Sequence, residues 1–179
     1  MNKTDLKLYA ITDRQWLHGA RLSEHVKLAI EGGATMIQIR DKDILSTDSD
    51  AGLKDEYNEV LEIKRICHEH KVPLIINDNV QFAIDIDADG VHLGQDDMNP
   101  AEARKLLGAD KIIGVTAKTV EQALRAQAQG ADYLGSGAVF GTTTKADARP
   151  MTMETLREIC DSVDIPVVAI GGINLGNIG

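Results

Sequence analysis

Two aspartates in the sequence stand where short apolar runs end. Asp78 follows the run 74–76 with Asn77 between them, and Asp97 closes the polar stretch after the run 90–93. Continuous apolar runs of this kind predict buried parallel strands, whose carboxyl ends lie at one edge of a sheet. We therefore expect the two carboxylates and the neighbouring amide to converge. Such oxygen donors suit a hard cation that keeps open positions for phosphate oxygens.

The same aspartates have a simpler interpretation, in which each only starts a turn or caps a helix. Asp and Asn are favoured in both roles, and Asn79 and Asp96 stand beside Asp78 and Asp97. For either aspartate alone the two interpretations are equally good. Because the pattern recurs in two successive strand–helix units, we favour a site.

Two basic segments extend this polar edge. The run 35–40 predicts a strand, but Gln38 and Arg40 alternate with its apolar residues, and Lys42 follows at once. Buried polar side chains are costly unless they are paired, so we expect partners for them or a ligand. The polar segment 141–150 begins with glycine and would serve either as a plain linker or as an anion cradle built from three hydroxyls and one lysine. Those residues are Thr142, Thr143, Thr144 and Lys145.

Composition excludes several classes of function. The chain has 179 residues, of which 43% are hydrophobic and 26% charged, and its net charge is -9. A nucleic-acid or anionic-membrane surface needs a basic stripe, so we expect neither partner. Cys67 and Cys160 form no CxxC pair, and Cys67 continues an apolar helical stripe, which favours core packing over metal binding. No apolar segment reaches the ~18 residues of a membrane span, and we expect a cytoplasmic protein.

The elements that must position these residues alternate regularly. Seven runs predict strands, at 6–12, 35–40, 74–76, 90–93, 111–116, 132–137 and 165–170. Segments with helical spacing separate them, apart from an acidic loop predicted over 43–55. Gly32 is expected to end the first helix, and Asn99 and Thr119 to begin later ones. This α/β alternation calls for a parallel sheet with right-handed crossovers.

A (β/α)8 TIM barrel is the preferred architecture, as one domain over residues 1–179. Each predicted strand is polar or glycine-rich at its downstream end, which is where such barrels place their ligands. A doubly wound open sheet is the alternative, but the GxGxxG turn usual in that fold is absent. Because the pattern accounts for seven strands, we expect this chain to lack the last strand and its flanking helices. On that expectation it would be less stable than a complete barrel and inactive.

Taken together, these residues resemble the thiamine-phosphate synthase family. The resemblance extends from Tyr9–Asp13 (YAITD) to Gly171–Ile173 (GGI). It implies a transferase that joins 4-amino-2-methyl-5-hydroxymethylpyrimidine diphosphate to thiazole phosphate, with Mg²⁺, and releases pyrophosphate. The partners implied are therefore small phosphorylated molecules. The sequence does not predict an oligomeric state.

The resemblance also assigns residues to roles. It implies that Asp78 and Asp97 are the magnesium ligands. The pyrimidine diphosphate would be bound by Gln38, Ile39, Arg40, Asp41, Lys42, Asn77 and Lys145. The thiazole phosphate would be bound by Thr142, Thr143, Thr144 and the backbone of Gly172. Thr116 stands where the family usually has serine, and Gly141 where it has proline. Arg40, Lys42, Thr116 and Lys145 are the expected catalytic residues.

Two other functions stay open at this stage. A thiazole tautomerase would use the same fold for proton transfer but would not need both magnesium carboxylates and the basic set. A non-catalytic barrel that only binds phosphate ligands is the other. The family also carries an Ile/Val-Ser pair after strand eight that completes the thiazole-phosphate site, and this sequence contains no such segment.

Overall fold

The computed structural model describes residues 1–41, 51–140 and 151–178. It contains seven parallel strands, β1 (Tyr9–Ile11), β2 (Met36–Ile39), β3 (Leu74–Asn77), β4 (Gly90–Leu93), β5 (Ile112–Thr116), β6 (Tyr133–Gly137) and β7 (Val167–Ile170). Its α-helices are α1 (Leu22–Glu31), α2 (Ala51–His70), α3 (Val80–Asp85), α4 (Pro100–Leu107), α5 (Val120–Ala128) and α6 (Met153–Ser162). The strands follow one another in the sheet in chain order. Sequential order with alternating helices is the topology expected of a (β/α) barrel.

Two predicted boundaries were wrong. The first strand begins at Tyr9 rather than residue 6, because Lys3–Leu6 form a 3-10 helix. Asn2 and Asp5 form a capping box there. The Asn2 side chain accepts a hydrogen bond from the Thr4 amide, and the Asp5 carboxylate accepts one from the Asn2 amide. Residues 51–55 of the loop predicted over 43–55 belong to α2, which begins at Ala51, and residues 43–50 lie outside the described residues. Good helix formers at that point outweigh the acidic character of the segment.

The chain divides into two compact units, and the first comprises residues 1–92 with 110–112. Within it β1, β2 and β3 pair in parallel, with Ile37 opposite Leu74 and Ile39 opposite Ile76. All four residues of β2 are buried, as predicted for a parallel strand covered on both faces. The polar Gln38 is among them, so the strand carries its site residue into the interior.

Helices α1 and α2 pack against each other in this unit. Helix α1 buries Leu22, Val26 and Ile30 at helical spacing, and its C-cap is Gly32, as predicted. Cys67 lies in α2 and is 1% exposed, which confirms the core position predicted for it.

The second unit comprises residues 93–109 and 113–179. Strands β5, β6 and β7 pair in parallel, with Thr116 opposite Gly135. A Cβ on Gly114 would lie 2.0 Å from the Tyr133 ring, so this glycine makes room for a buried aromatic side chain. Both predicted helix starts are confirmed: Asn99 accepts a hydrogen bond from the Ala101 amide at α4, and Thr119 from the Gln122 amide at α5.

Within the described ranges, no helix combines the length and the apolar character needed to cross a membrane. The single-domain assignment over residues 1–179 stays a prediction.

Candidate active site

In the first unit the predicted site residues stand at the carboxyl ends of β2 and β3. Gln38 is 2% exposed, and its side-chain amide donates a hydrogen bond of 2.6 Å to the Tyr9 hydroxyl. The cost of burying this amide is therefore offset by a partner on the neighbouring strand. The pairing fixes the orientation of the Gln38 side chain between β1 and β2.

The residues that follow β2 are held by contacts with residues that follow β1. The Arg40 amide donates to the Thr12 hydroxyl over 3.1 Å. The next residue, Asp41, is buried and forms an ion pair with Arg14. Ile39 is fully buried, while Lys42 lies outside the described residues. No local signal in the sequence singles out Arg14, because its partner is 27 positions away.

Asn77 and Asp78 stand at the exit of β3, where Asn77 faces His92 in the strand register. The Asp78 amide donates a 2.8 Å hydrogen bond to the His92 carbonyl. Its φ of 63° is in the left-handed region, which aspartate tolerates better than most residues. The helix cap is Asn79, whose side chain accepts from the Phe82 amide over 2.8 Å. Capping therefore falls to Asn79 and not to Asp78.

In the second unit Asp97 lies in the loop that follows β4. Its Oδ2 accepts a hydrogen bond of 2.6 Å from the Gly94 amide. A Cβ at Gly94 would lie 2.8 Å from that same oxygen, so glycine leaves the space that the carboxylate uses. The turn interpretation thus accounts for one oxygen of Asp97, and the carboxylate is oriented by its own loop.

Gln95 connects this loop to the end of β5. Its side-chain amide donates to the Thr116 carbonyl over 2.5 Å, and its Oε1 accepts from Arg125 over 2.6 Å. Gln95 and Arg125 border a cleft of about 250 Å³ that Asp97 also lines. Sequence reasoning missed both Gln95 and Arg125, which are 30 positions apart. The one feature of the sequence that could have indicated Gln95 as a site residue is its position next to Asp96 and Asp97.

The loop after β7 carries Gly172. Its φ is 67°, a conformation that favours glycine, and its carbonyl accepts from the side-chain amides of Asn174 and Asn177. The carbonyl is thereby occupied in holding the loop together. The other predicted contacts of the thiazole phosphate, Thr142, Thr143 and Thr144, lie outside the described residues, as do Gly141 and Lys145.

The structure therefore groups the predicted residues in two sets. Gln38, Arg40, Asp41, Asn77 and Asp78 share the carboxyl ends of two paired strands in the first unit. In the second, the loop of Asp97 is tied to the strand end of Thr116. The convergence of Asp78 with Asp97 stays a prediction.

The donor chemistry fits Mg²⁺. In the part of the chain that the structure describes, no three His, Cys, Asp or Glu side chains form a metal cluster. Mg²⁺ is usually held by one or two carboxylates, with water and substrate phosphates completing its shell. A pair of carboxylates such as Asp78 and Asp97 matches that requirement in ligand type and number.

Comparison with known proteins identifies the family. The family model described as thiamine monophosphate synthase matches residues 8–179. The thiamine-phosphate synthase of Clostridium acetobutylicum is 48% identical over 177 residues, which are 99% of this chain and 81% of that protein. The thiamine-phosphate synthase of Fusobacterium nucleatum is 43% identical over 99% of this chain and 83% of that protein.

The chain belongs to the thiamine monophosphate synthase family.

Solved structures agree with this assignment. A thiamine phosphate pyrophosphorylase from Pyrococcus furiosus superposes with a TM-score of 0.82 at 41% identity, over 97% of this chain and 79% of that one. An N-acetylmannosamine-6-phosphate 2-epimerase from Clostridium perfringens gives a TM-score of 0.63 at 20% identity, over 97% and 81% of the two chains. At that identity the second likeness shows the fold alone. The α/β architecture predicted from the strand–helix alternation is confirmed.

Proposed function

We propose that the function of this family member is to form thiamine phosphate from pyrimidine diphosphate and thiazole phosphate, with release of pyrophosphate. The inactivity expected of a barrel with seven strands stays a prediction, which the product assay below also tests. The observation that carries the proposal is the 48% identity to a thiamine-phosphate synthase over 99% of the chain. The placement of Gln38, Arg40 and Asn77 at the carboxyl ends of β2 and β3 supports it. Ligand-binding residues of (β/α) barrels lie at these ends.

The reaction proposed is a dissociative substitution. The bond between the pyrimidine methylene carbon and the diphosphate oxygen breaks, and its electron pair leaves with pyrophosphate. The lone pair of the thiazole nitrogen then forms the new carbon–nitrogen bond. Positive charge on the methylene carbon is supported by the electron-rich aminopyrimidine, so the protein needs no nucleophile. Its work is to hold both substrates and to stabilise the charge that develops on the leaving group.

Several side chains would share that work. Gln38 and Asn77 would bind the pyrimidine diphosphate with Ile39 and Asp41, and Arg40, Lys42 and Lys145 would place cations around its phosphates. Thr116 would contribute its hydroxyl. The family resemblance implies that Thr142, Thr143, Thr144 and the Gly172 backbone would bind the thiazole phosphate.

Magnesium is part of the proposal, with Asp78 and Asp97 as its ligands. Bound there, it would neutralise charge that builds up on the departing pyrophosphate. The carboxylate of Asp97 already has one oxygen oriented by the Gly94 amide. Both cysteines are free thiols, as is usual in a reducing compartment, and the proposal places the reaction in the cytoplasm.

Product analysis tests this proposal. The protein is incubated with both phosphorylated substrates and Mg²⁺, and thiamine phosphate and pyrophosphate are quantified together. Equal amounts of the two products are expected. Exchange of thiazole protons with solvent in the absence of pyrophosphate release would indicate a tautomerase. Binding of either substrate without any product would indicate a phosphate-binding protein. Either result would overturn the proposal.

A further inference from the structure

A cluster of buried charges lies beside the predicted diphosphate segment. Arg14 follows β1, Asp41 follows β2, and Glu59 lies in α2. The Arg14 Nε contacts Asp41, and its Nη1 is 3.5 Å from Glu59. The side chains of Asp41 and Glu59 are 4% and 10% exposed, against 32% for Arg14. One guanidinium therefore spans two almost fully buried carboxylates.

The charges in this cluster are matched asymmetrically. A second arginine, Arg21, lies 3.7 Å from Glu59 and 2.6 Å from Glu62. Thus Glu59 has two arginines near it, and one of them, Arg14, also contacts Asp41. The pKa of Arg14 is raised: burial acts to lower it, but the hydrogen bond and charge of Asp41, with the charges of Glu59 and Glu56, outweigh that effect.

The guanidinium is not arranged for stability alone. Among the described residues its Nη2 is buried and makes no hydrogen bond. A buried donor without a partner costs stability. The arrangement is nevertheless well suited to holding Asp41, because the planar fork of arginine fixes the direction of the carboxylate that it binds.

The clamp acts at one place in the backbone. Arg40 is held through its amide by the Thr12 hydroxyl, and Asp41 is held through its carboxylate by Arg14. Two consecutive residues after β2 are thus fastened to two nearby residues after β1. Such a two-point attachment fixes both the position and the rotation of the backbone from which the Arg40 side chain departs.

We propose that Arg14 is a positioning residue for the pyrimidine diphosphate, because its clamp on Asp41 sets the geometry of Arg40. This inference rests on the proposed function, in which Arg40 contacts that substrate. Arg14 itself touches neither substrate. Asp41 serves in this view as the anchor of its segment.

Steady-state kinetics with each substrate varied in turn test the inference. Arg14→Gln is expected to raise the KM for the pyrimidine diphosphate by about 10-fold to 100-fold, as expected when a contacting group is displaced by about an ångström. The KM for the thiazole phosphate should change less than about twofold. A purely structural defect would lower the active fraction of the protein and leave both KM values as they are in the parent. Arg14→Lys keeps the charge but loses the planar fork of the guanidinium. Its KM for the pyrimidine diphosphate should lie between those of the parent and Arg14→Gln.

Arg21→Gln is the matched control. It removes the neighbouring arginine from Glu59 without touching Asp41, so both KM values should stay close to those of the parent. If Arg14→Gln leaves the KM for the pyrimidine diphosphate unchanged, or shifts both KM values together, the inference is wrong. Should Arg14→Gln fail to fold, Arg14→Lys decides by the same criterion.

Hydrogen exchange separates this inference from the proposed function. In the ligand-free protein, Arg14→Gln should speed exchange of the Arg40 amide at least about tenfold, since the next residue, Asp41, is no longer fastened and the amide separates more readily from the Thr12 hydroxyl. Arg21→Gln should not. If the parent protein forms no thiamine phosphate, the proposed function fails, and this exchange measurement still decides whether Arg14 holds the segment. Equal exchange in all three proteins would overturn the clamp.

Discussion

Removing the side chain of Gln95 should weaken the response of the enzyme to magnesium. Gln95 stands two residues before Asp97 and joins its loop to the Thr116 carbonyl and to Arg125 by hydrogen bonds of 2.5 and 2.6 Å. In Gln95→Ala both bonds are lost. The Gly94 amide would still hold one oxygen of Asp97, so the loop should shift without unfolding.

The size of the effect follows from the two bonds. A neutral hydrogen bond contributes about 0.5–1.5 kcal/mol net, and one to a charged group about 1.5–3 kcal/mol. Gln95 is exposed, so the lower values apply, and their sum is about 2 kcal/mol. If about 1.4 kcal/mol of this sum is expressed in the placement of Asp97, the Mg²⁺ concentration at half-maximal rate rises about tenfold.

Gln127→Ala is the matched control for this experiment. Its side chain also makes two hydrogen bonds, in which the oxygen accepts from the amides of Asp164 (2.7 Å) and Ile165 (3.2 Å), shortly before β7. The rate of thiamine phosphate formation is measured against Mg²⁺ concentration for both variants and the parent. The free energy of unfolding of each protein is measured in urea. The two variants should lose similar stability, but only Gln95→Ala should need more Mg²⁺. An unchanged Mg²⁺ requirement in Gln95→Ala would refute this reasoning.

Three further predictions concern stability and the role of Lys145. Burial, with the charge of Asp89, raises the pKa of Cys67 to about 12, so the unfolded thiol ionises first and stability falls as pH rises from about 9 towards 12. Between pH 8 and pH 10 the free energy of unfolding in urea should fall by about 1 kcal/mol less in Cys67→Val than in the parent. An equal fall in the two proteins would contradict this reasoning. Gly114→Ala should destabilise by about 1–3 kcal/mol or more by thermal unfolding, since its Cβ would meet the Tyr133 ring; an unchanged melting temperature would contradict that packing. Lys145→Ala should slow turnover about 10²-fold, and parental kinetics would place Lys145 outside the site.

Local signals in the sequence were sufficient for much of the fold. Continuous apolar runs located the strands, and the caps at Asn99 and Thr119 located two helix starts. The cost of a buried amide at Gln38 correctly required a partner, which is the Tyr9 hydroxyl. These features depend on neighbours in the chain or on a single strand pairing.

The supporting contacts of the site were beyond such signals. The pairs Arg14–Asp41 and Gln95–Arg125 join residues 27 and 30 positions apart, and each forms only when the fold brings two distant segments together. The first strand was placed too early for a related reason, since an apolar run does not reveal that Asn2 and Asp5 close a competing turn. The place of Asp78 and Asp97 after two strands predicted a cation site, and the roles of the other individual residues came from the family resemblance.

The central claim is that Asp78 and Asp97 bind magnesium for thiamine phosphate formation. Asparagine at position 97 could still accept the Gly94 amide hydrogen bond, so Asp97→Asn removes the charge and keeps the turn. The neighbouring Asp96 is exposed, and Asp96→Asn serves as the control. The rate of thiamine phosphate formation is measured against Mg²⁺ concentration for Asp78→Asn, Asp97→Asn, Asp96→Asn and the parent.

The account predicts that Asp78→Asn and Asp97→Asn lose at least about 10²-fold in rate at every Mg²⁺ concentration, while Asp96→Asn stays within about twofold of the parent. Parental rates in Asp97→Asn would show that this residue only holds its turn, and would contradict the claim.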